Sequence, residues 1–122
     1  SVSVPLMKTT GKRTKRASAK QESEIAASMG GRRQPGSGAI PGLKGDVRVK
    51  GKFRIEAKYT SNKSYSVTRA DLMKIRSECY GAETPAFVID FKDPGTLRTE
   101  ERWVLVPFSD WENLVNAATN NQ

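Results

Sequence analysis

Residues 45–58 read GDVRVKGKFRIEAK, two short runs in which apolar and polar residues take turns. Val47 and Val49 alternate with Asp46, Arg48 and Lys50, and Phe53, Ile55 and Ala57 alternate with Arg54, Glu56 and Lys58. That period of two is the pattern of half-buried β-strands. Burying both apolar sets on one side fixes the register, because a slip of one residue would send a strand's whole apolar set to solvent. Pairing Val49 with Phe53 and Val47 with Ile55 satisfies this, leaves Lys50, Gly51 and Lys52 as the connection, and sets Asp46 opposite Glu56. Directly opposed residues have Cβ atoms about 4.5–5.5 Å apart, so two carboxylates would meet at one spot. They repel unless a cation lies between them. Lys58, two residues past Glu56, points to the same side. The plain alternative is a solvated strand face with an ordinary ion pair.

Working outward, 122 residues with 36% hydrophobic content support one domain with a modest core. No apolar run approaches the roughly 18 residues of a membrane span, and the N-terminus has no apolar signal region. The expectation is an intracellular, cytoplasmic protein with no membrane partner. The single cysteine, Cys79, cannot form an internal disulfide; among apolar neighbours in a helix-like stretch it reads as a small buried residue. The chain has no histidine, which removes Ser-His-Asp and Cys-His nucleophiles, histidine zinc sites and histidine general bases. What remains for hydrolysis is carboxylates around a hard cation, assisted by lysine, a combination suited to phosphate chemistry. Asp46 and Glu56 would hold Mg²⁺ with the backbone carbonyl of Ala57, and Lys58 would orient a water or offset charge on the phosphate.

Charge is uneven. The net charge is +8, yet residues 1–58 carry +10 and residues 59–122 carry −2. A basic half of that size suits a polyanion, nucleic acid first; a merely solvated basic surface is the bland alternative.

Residues 1–17 read as a flexible basic arm, and 18–122 as the domain. Residues 18–29 have helix-forming composition, with Ile25, Ala26 and Met29 on one stripe that Glu22 shares; Glu24 is turned about 100° from Ile25. If that helix packs on the hairpin, Glu22 could supply a further carboxylate. Gly30 and Gly31 end it. The Gly- and Pro-rich stretch GRRQPGSGAIPGLKG, 31–45, must be a loop, and it puts Arg32 and Arg33 beside Gly-Ser-Gly as a workable phosphate cradle. It lacks P-loop spacing, so no nucleotide cofactor is expected. Thr68 with Asp71 resembles a capping box opening a helix over 69–80, 86–91 and 102–107 read as strands, and Ser109 with Glu112 resembles a second capping box before a C-terminal helix. The fold class is α/β, a small mixed sheet flanked by helices.

Gly45-Asp46 followed ten residues later by Glu56-Ala57-Lys58 resembles the signature of the PD-(D/E)XK nuclease superfamily. The loop GRRQPGSG after a Glu-bearing helix is similar to that of archaeal-type and phage Holliday junction resolvases, over roughly residues 18–90. The resemblance implies a restriction-endonuclease-like core and a Mg²⁺-dependent endonuclease, with Mn²⁺ able to substitute. It implies Glu22 as the helix carboxylate, Asp46 and Glu56 as metal ligands, Lys58 as the catalytic lysine and Ser37 near the site. Gly45 stands where the superfamily has proline. Arg32, Arg33, Ser37 and Lys44 in the loop, with Lys12 and Arg13 in the arm, are the expected DNA contacts. The expected partners are branched or duplex DNA and a second subunit in a homodimer. The alternatives are a non-enzymatic basic nucleic-acid-binding protein and a nicking nuclease without junction selectivity.

Overall fold

The computed structural model describes residues 3–30, 32–33, 46–49 and 51–120, with side chains from residue 16 onward except those of Arg32, Arg33 and Asp46. The elements run α1 (Ser3–Met29), β1 (Arg32–Arg33), β2 (Asp46–Val49), β3 (Phe53–Thr60), α2 (Arg69–Ser77), β4 (Thr84–Lys92), β5 (Thr99–Leu105) and α3 (Phe108–Asn120). The five strands form one mixed sheet in the order β1-β2-β3-β4-β5. β3 and β4 are parallel, joined through α2, and the other neighbours are antiparallel.

The hairpin pairs as its alternation requires: Val49 with Phe53, Val47 with Ile55, Asp46 with Glu56. Gly51 supplies the left-handed residue of the connection at φ 74°, a conformation that a Cβ disfavours. Val47, Val49, Ile55 and Ala57 join Ala86 and Val88 of β4 under Ile25 and Ala26 of α1, which makes the core. Full burial of a residue such as Val47 or Ile55 contributes about 1.5–3 kcal/mol each. α1 therefore covers one side of the sheet, and α2 covers the other through Ile75.

The buried stripe of α1 is Ala17, Gln21, Glu22, Ile25 and Ala26. Met29, expected on that stripe, is exposed. Residues 3–17, expected as an arm, continue the same helix. Pro5 falls within its first turn, where a missing N–H leaves no bond unmade, and lysine and arginine are good helix formers. Gly30 ends the helix at φ 70°.

The capping box at Thr68 and Asp71 is present in both directions, at 3.1 and 3.0 Å. α2 stops at Ser77, short of the expected residue 80; Glu78 is its C-cap, and the Glu78 carboxylate pairs with Arg54 at 2.9 Å. Cys79 lies past the helix end, half-buried, and burial pushes its thiol up, keeping it protonated and inert. β5 begins at Thr99 and ends at Leu105, three residues ahead of the expected span at its start and two short of it at its end. Pro107, instead of closing the strand, accepts from the N–H groups of Asp110 and Trp111 and starts α3. Ser109 thus sits inside the first turn of α3 and is not its cap. No helix among the described residues is long and apolar enough to cross a membrane.

Candidate active site

On the side of the sheet away from α1, β3 presents Arg54, Glu56 and Lys58. Glu56 is almost fully buried, and Lys58 Nζ stands 3.2 Å from its Oε1 while remaining about half exposed, at 46%. Asp46 is the cross-strand partner of Glu56. The register thus brings Asp46, Glu56 and Lys58 to one patch at the end of β2. On β3's other flank, Phe87 of β4 is level with Glu56, and the Tyr65 ring rests against Phe87 with centroids 6.2 Å apart. Tyr65 therefore roofs the patch from the β3–α2 connection. Burial pushes its phenol above the ordinary value; Lys58 pulls the other way, and Asp71 and Glu56 add to the rise. The sequence reading passed over Tyr65, whose only local signal is an aromatic ring in an otherwise polar loop.

Glu22 is 2% exposed, on the stripe of α1 that faces the sheet. The adjoining Gln21, also buried, donates from Nε2 to the Lys58 carbonyl at 2.7 Å. This bond occupies β3 just beyond the last residue that β2 pairs, so it pins α1 beside the patch. Glu24 points elsewhere: its Oε1 accepts from Arg102 Nη2 at 3.0 Å. Of the two helix carboxylates, Glu22 is the buried one, on the face of the sheet opposite to the Glu56 side chain.

A second buried carboxylate, Asp90 of β4, is enclosed by donors on both oxygens. It is wholly buried and accepts from Arg102 Nε at 2.6 Å, from Arg102 Nη2 at 2.7 Å and from Thr99 Oγ1 at 3.2 Å. Those bonds hold the Arg102 guanidinium protonated, well above its ordinary value. A carboxylate so enclosed has little room for a metal.

Two of the basic residues in the first half are also committed. Arg54 pairs with Glu78 at 2.9 Å; Arg48 pairs with Glu83 at 2.9 Å and lies 4.9 Å from the Tyr80 ring centre. Their charge is taken up within the fold and does not face a polyanion. Arg32 and Arg33 form β1, paired with Arg48 and Val47, and Lys12 and Arg13 lie on α1. Ser37 and Lys44 are outside the described residues.

Among the described residues no group of three or more histidine, cysteine, aspartate or glutamate side chains gathers to hold a metal. Glu56 supplies one hard oxygen donor, and Asp46 opposite it is the position from which a second would come. Ala57, whose carbonyl was expected to join them, is buried with its side chain in the core. Carboxylates and a carbonyl form a donor set that fits Mg²⁺ or Mn²⁺ and not a thiolate- or imidazole-seeking ion. Comparison with protein-family models, with curated proteins and with solved structures finds no match to the chain.

Proposed function

We propose that the chain is a metal-dependent, structure-selective DNA endonuclease with a restriction-endonuclease-like core, resolving four-way junctions by paired nicks. The observation that carries this reading is the register that sets Asp46 opposite Glu56, with Lys58 Nζ 3.2 Å from Glu56. Sheet topology supports it. An antiparallel hairpin bearing the acidic pair leads into a parallel partner through a crossover helix, with Glu56 the last residue of β3 that β2 pairs.

The magnesium ion that Asp46, Glu56 and the Ala57 carbonyl would hold supplies a Lewis acid that polarises the scissile phosphodiester and lowers the pKa of a water. The protein's own groups do the rest. Lys58, half in solvent, donates to the attacking water or to the phosphate oxygen on which charge develops. Glu22 is the further carboxylate in this reading, acting directly or through water, with Gln21 tying its turn of α1 to the Lys58 carbonyl. Arg32, Arg33, Ser37 and Lys44, with Lys12 and Arg13 on α1, bind phosphates on either side. Two nicks in strands of like polarity call for two such sites, hence two subunits.

An inert nucleic-acid-binding role would explain the basic half and treat Glu56–Lys58 as a plain ion pair. A four-way junction and a linear duplex of equal length, incubated with the protein and Mg²⁺ or Mn²⁺, separate these readings. Cleavage of the junction in preference is expected. Asp46→Asn should abolish cleavage while DNA affinity holds, and replacing Arg32 and Arg33 by alanine should weaken binding and reduce its salt dependence. Tight binding with no cleavage in either metal would sink the nuclease reading.

A further inference from the structure

α3 and β5 carry a large apolar surface that the fold leaves uncovered. α3 buries none of its residues, and Phe108 is 73% and Trp111 54% exposed, with Leu114 and Val115 on the same stripe. β5 is the outer strand of the sheet and adds Trp103, 59% exposed, and Leu105 on the α2 side. Thr84 Oγ1 of β4 donates to Asp110 Oδ1 of α3 at 3.3 Å. A helix of about a dozen residues standing alone is marginal in water, and an apolar edge strand is a site for pairing or aggregation. Contiguous apolar patches of this kind mark interaction surfaces.

The same face holds a matching depression. A cavity of about 270 Å³ opens between α2 and β5, with Leu72, Met73, Phe87 and Leu105 as apolar lining and Arg69 and Arg76 beside them. Pro107 closes one end and leads directly into α3. Charge is complementary too. α3 carries Asp110 and Glu112 and no basic residue, whereas α2 presents Arg69, Lys74 and Arg76. No ion pair of Arg69, Arg76 or Glu112 occurs among the described residues.

We propose that a second copy of this chain covers the face in a two-fold dimer, the Phe108 and Trp111 rings of each subunit seated in the α2–β5 groove of the other. Asp110 and Glu112 then meet the partner's Arg69 and the partner's Arg76. An isologous contact needs knob and hole on one patch, and this patch has both. Nucleic acid is the poorer occupant, since α3 is acidic and would repel phosphate. The dimer stands on these observations; its use, two cuts within one encounter, rests on the nuclease reading.

Light scattering on the whole chain tests it. The native protein should have twice the 13.4 kDa chain mass. Replacing Phe108 and Trp111 together by glutamate should give a monomer with the sheet retained by circular dichroism, since neither ring is buried in the single chain. Glu112→Arg, and separately the pair Arg69→Glu with Arg76→Glu, should each weaken the dimer about tenfold or more by setting like charges together. Mixing these two variants should restore a heterodimer, because both of its contacts are then of opposite sign. A monomeric native protein, a dimer that survives the Phe108 and Trp111 change, or a mixture that stays monomeric would overturn the proposal. On a supercoiled cruciform plasmid the native protein should linearise, and the monomeric variant only nick. A native dimer that cuts nothing leaves the dimer standing and removes the nuclease reading instead.

Discussion

Asp90 and Glu56 sit on adjacent parallel strands, are both nearly out of solvent, and each has a cation beside it. Around Asp90 both oxygens find donors: two bonds from Arg102 and one from Thr99, with Glu24 also accepting from the guanidinium. Lys92 lies near with its own pKa lowered, first by burial, and bonds Thr99 Oγ1 at 3.1 Å. Around Glu56 the partner is Lys58, a flexible point charge that keeps about half its surface in water. Arginine's planar fork closes a carboxylate with parallel bonds; lysine's ammonium leaves oxygen free. The first cluster locks β4 to β5 and to α1. The second is joined by one flexible cation that is half in water. The difference between an enclosed and an open carboxylate separates a structural cluster from a candidate catalytic one.

The largest expected effect comes from breaking the enclosed cluster. Arg102→Ala leaves the Asp90 charge buried and unpaired, and should destabilise the protein by about 3–5 kcal/mol in urea unfolding. A change under about 1 kcal/mol would mean that water reaches Asp90 and that the two clusters differ less than their geometry says.

Glu56→Gln keeps volume and removes one ligand charge at the open cluster. Cleavage of a four-way junction should fall by about a hundredfold or more, whereas unfolding stability should move by less than about 1 kcal/mol, since its partner Lys58 is half solvated. If stability dropped as far as for Arg102→Ala while cleavage persisted, the roles assigned to the two clusters would be reversed.

Metal binding sharpens the contrast from the other side. Mg²⁺ in excess should stabilise the native protein, by about 2.7 kcal/mol at a hundred times its dissociation constant. The increment should vanish in Asp46→Asn and in Glu56→Gln, and remain in Asp90→Asn. An increment lost only with Asp90→Asn would move the metal to β4.

The smallest effect concerns a polar pair that owes nothing to burial. Thr68→Ala should cost about 1 kcal/mol through the lost cap of α2. The hydrogen bonds from Thr68 hold the exposed Asp71 carboxyl below its ordinary value, and that depressed pKa fixes the sign of its pH effect. Its contribution is present above the unfolded carboxylate pKa and disappears as the pH falls through the folded one. Unfolding of the native protein and Asp71→Asn compared across pH 2–5 reads this directly; stability differences that grow on acidification would contradict it.

Much of the candidate site was legible because its signals are local. Period-two alternation on both runs of the hairpin admits one register, so the Asp46–Glu56 pairing and the position of Lys58 follow from residue types a few places apart. The capping box of α2 spans four residues and is as local. Glu22 could be put on the buried stripe by its spacing from Ile25, but spacing alone could not remove Glu24 from contention, because Glu24 is claimed by an arginine 78 positions away. Arg48 and Arg54 count in the basic half, and the acids that pair with them, Glu83 and Glu78, lie more than twenty residues further along the chain.

By itself, then, the sequence determined the hairpin register, the cap of α2, the interior position of an apolar strand around 86–91 and the exclusion of histidine chemistry. Only the tertiary structure decided which charges are spent on one another, how far α1 extends, that Tyr65 covers the patch and that α3 and β5 are left bare. Periodicity and capping act within one or two turns or strand repeats, and so are written in the order of residues. Ion pairing and exposure depend on which elements meet in space, and one chain position constrains another dozens of residues away only once the sheet has closed.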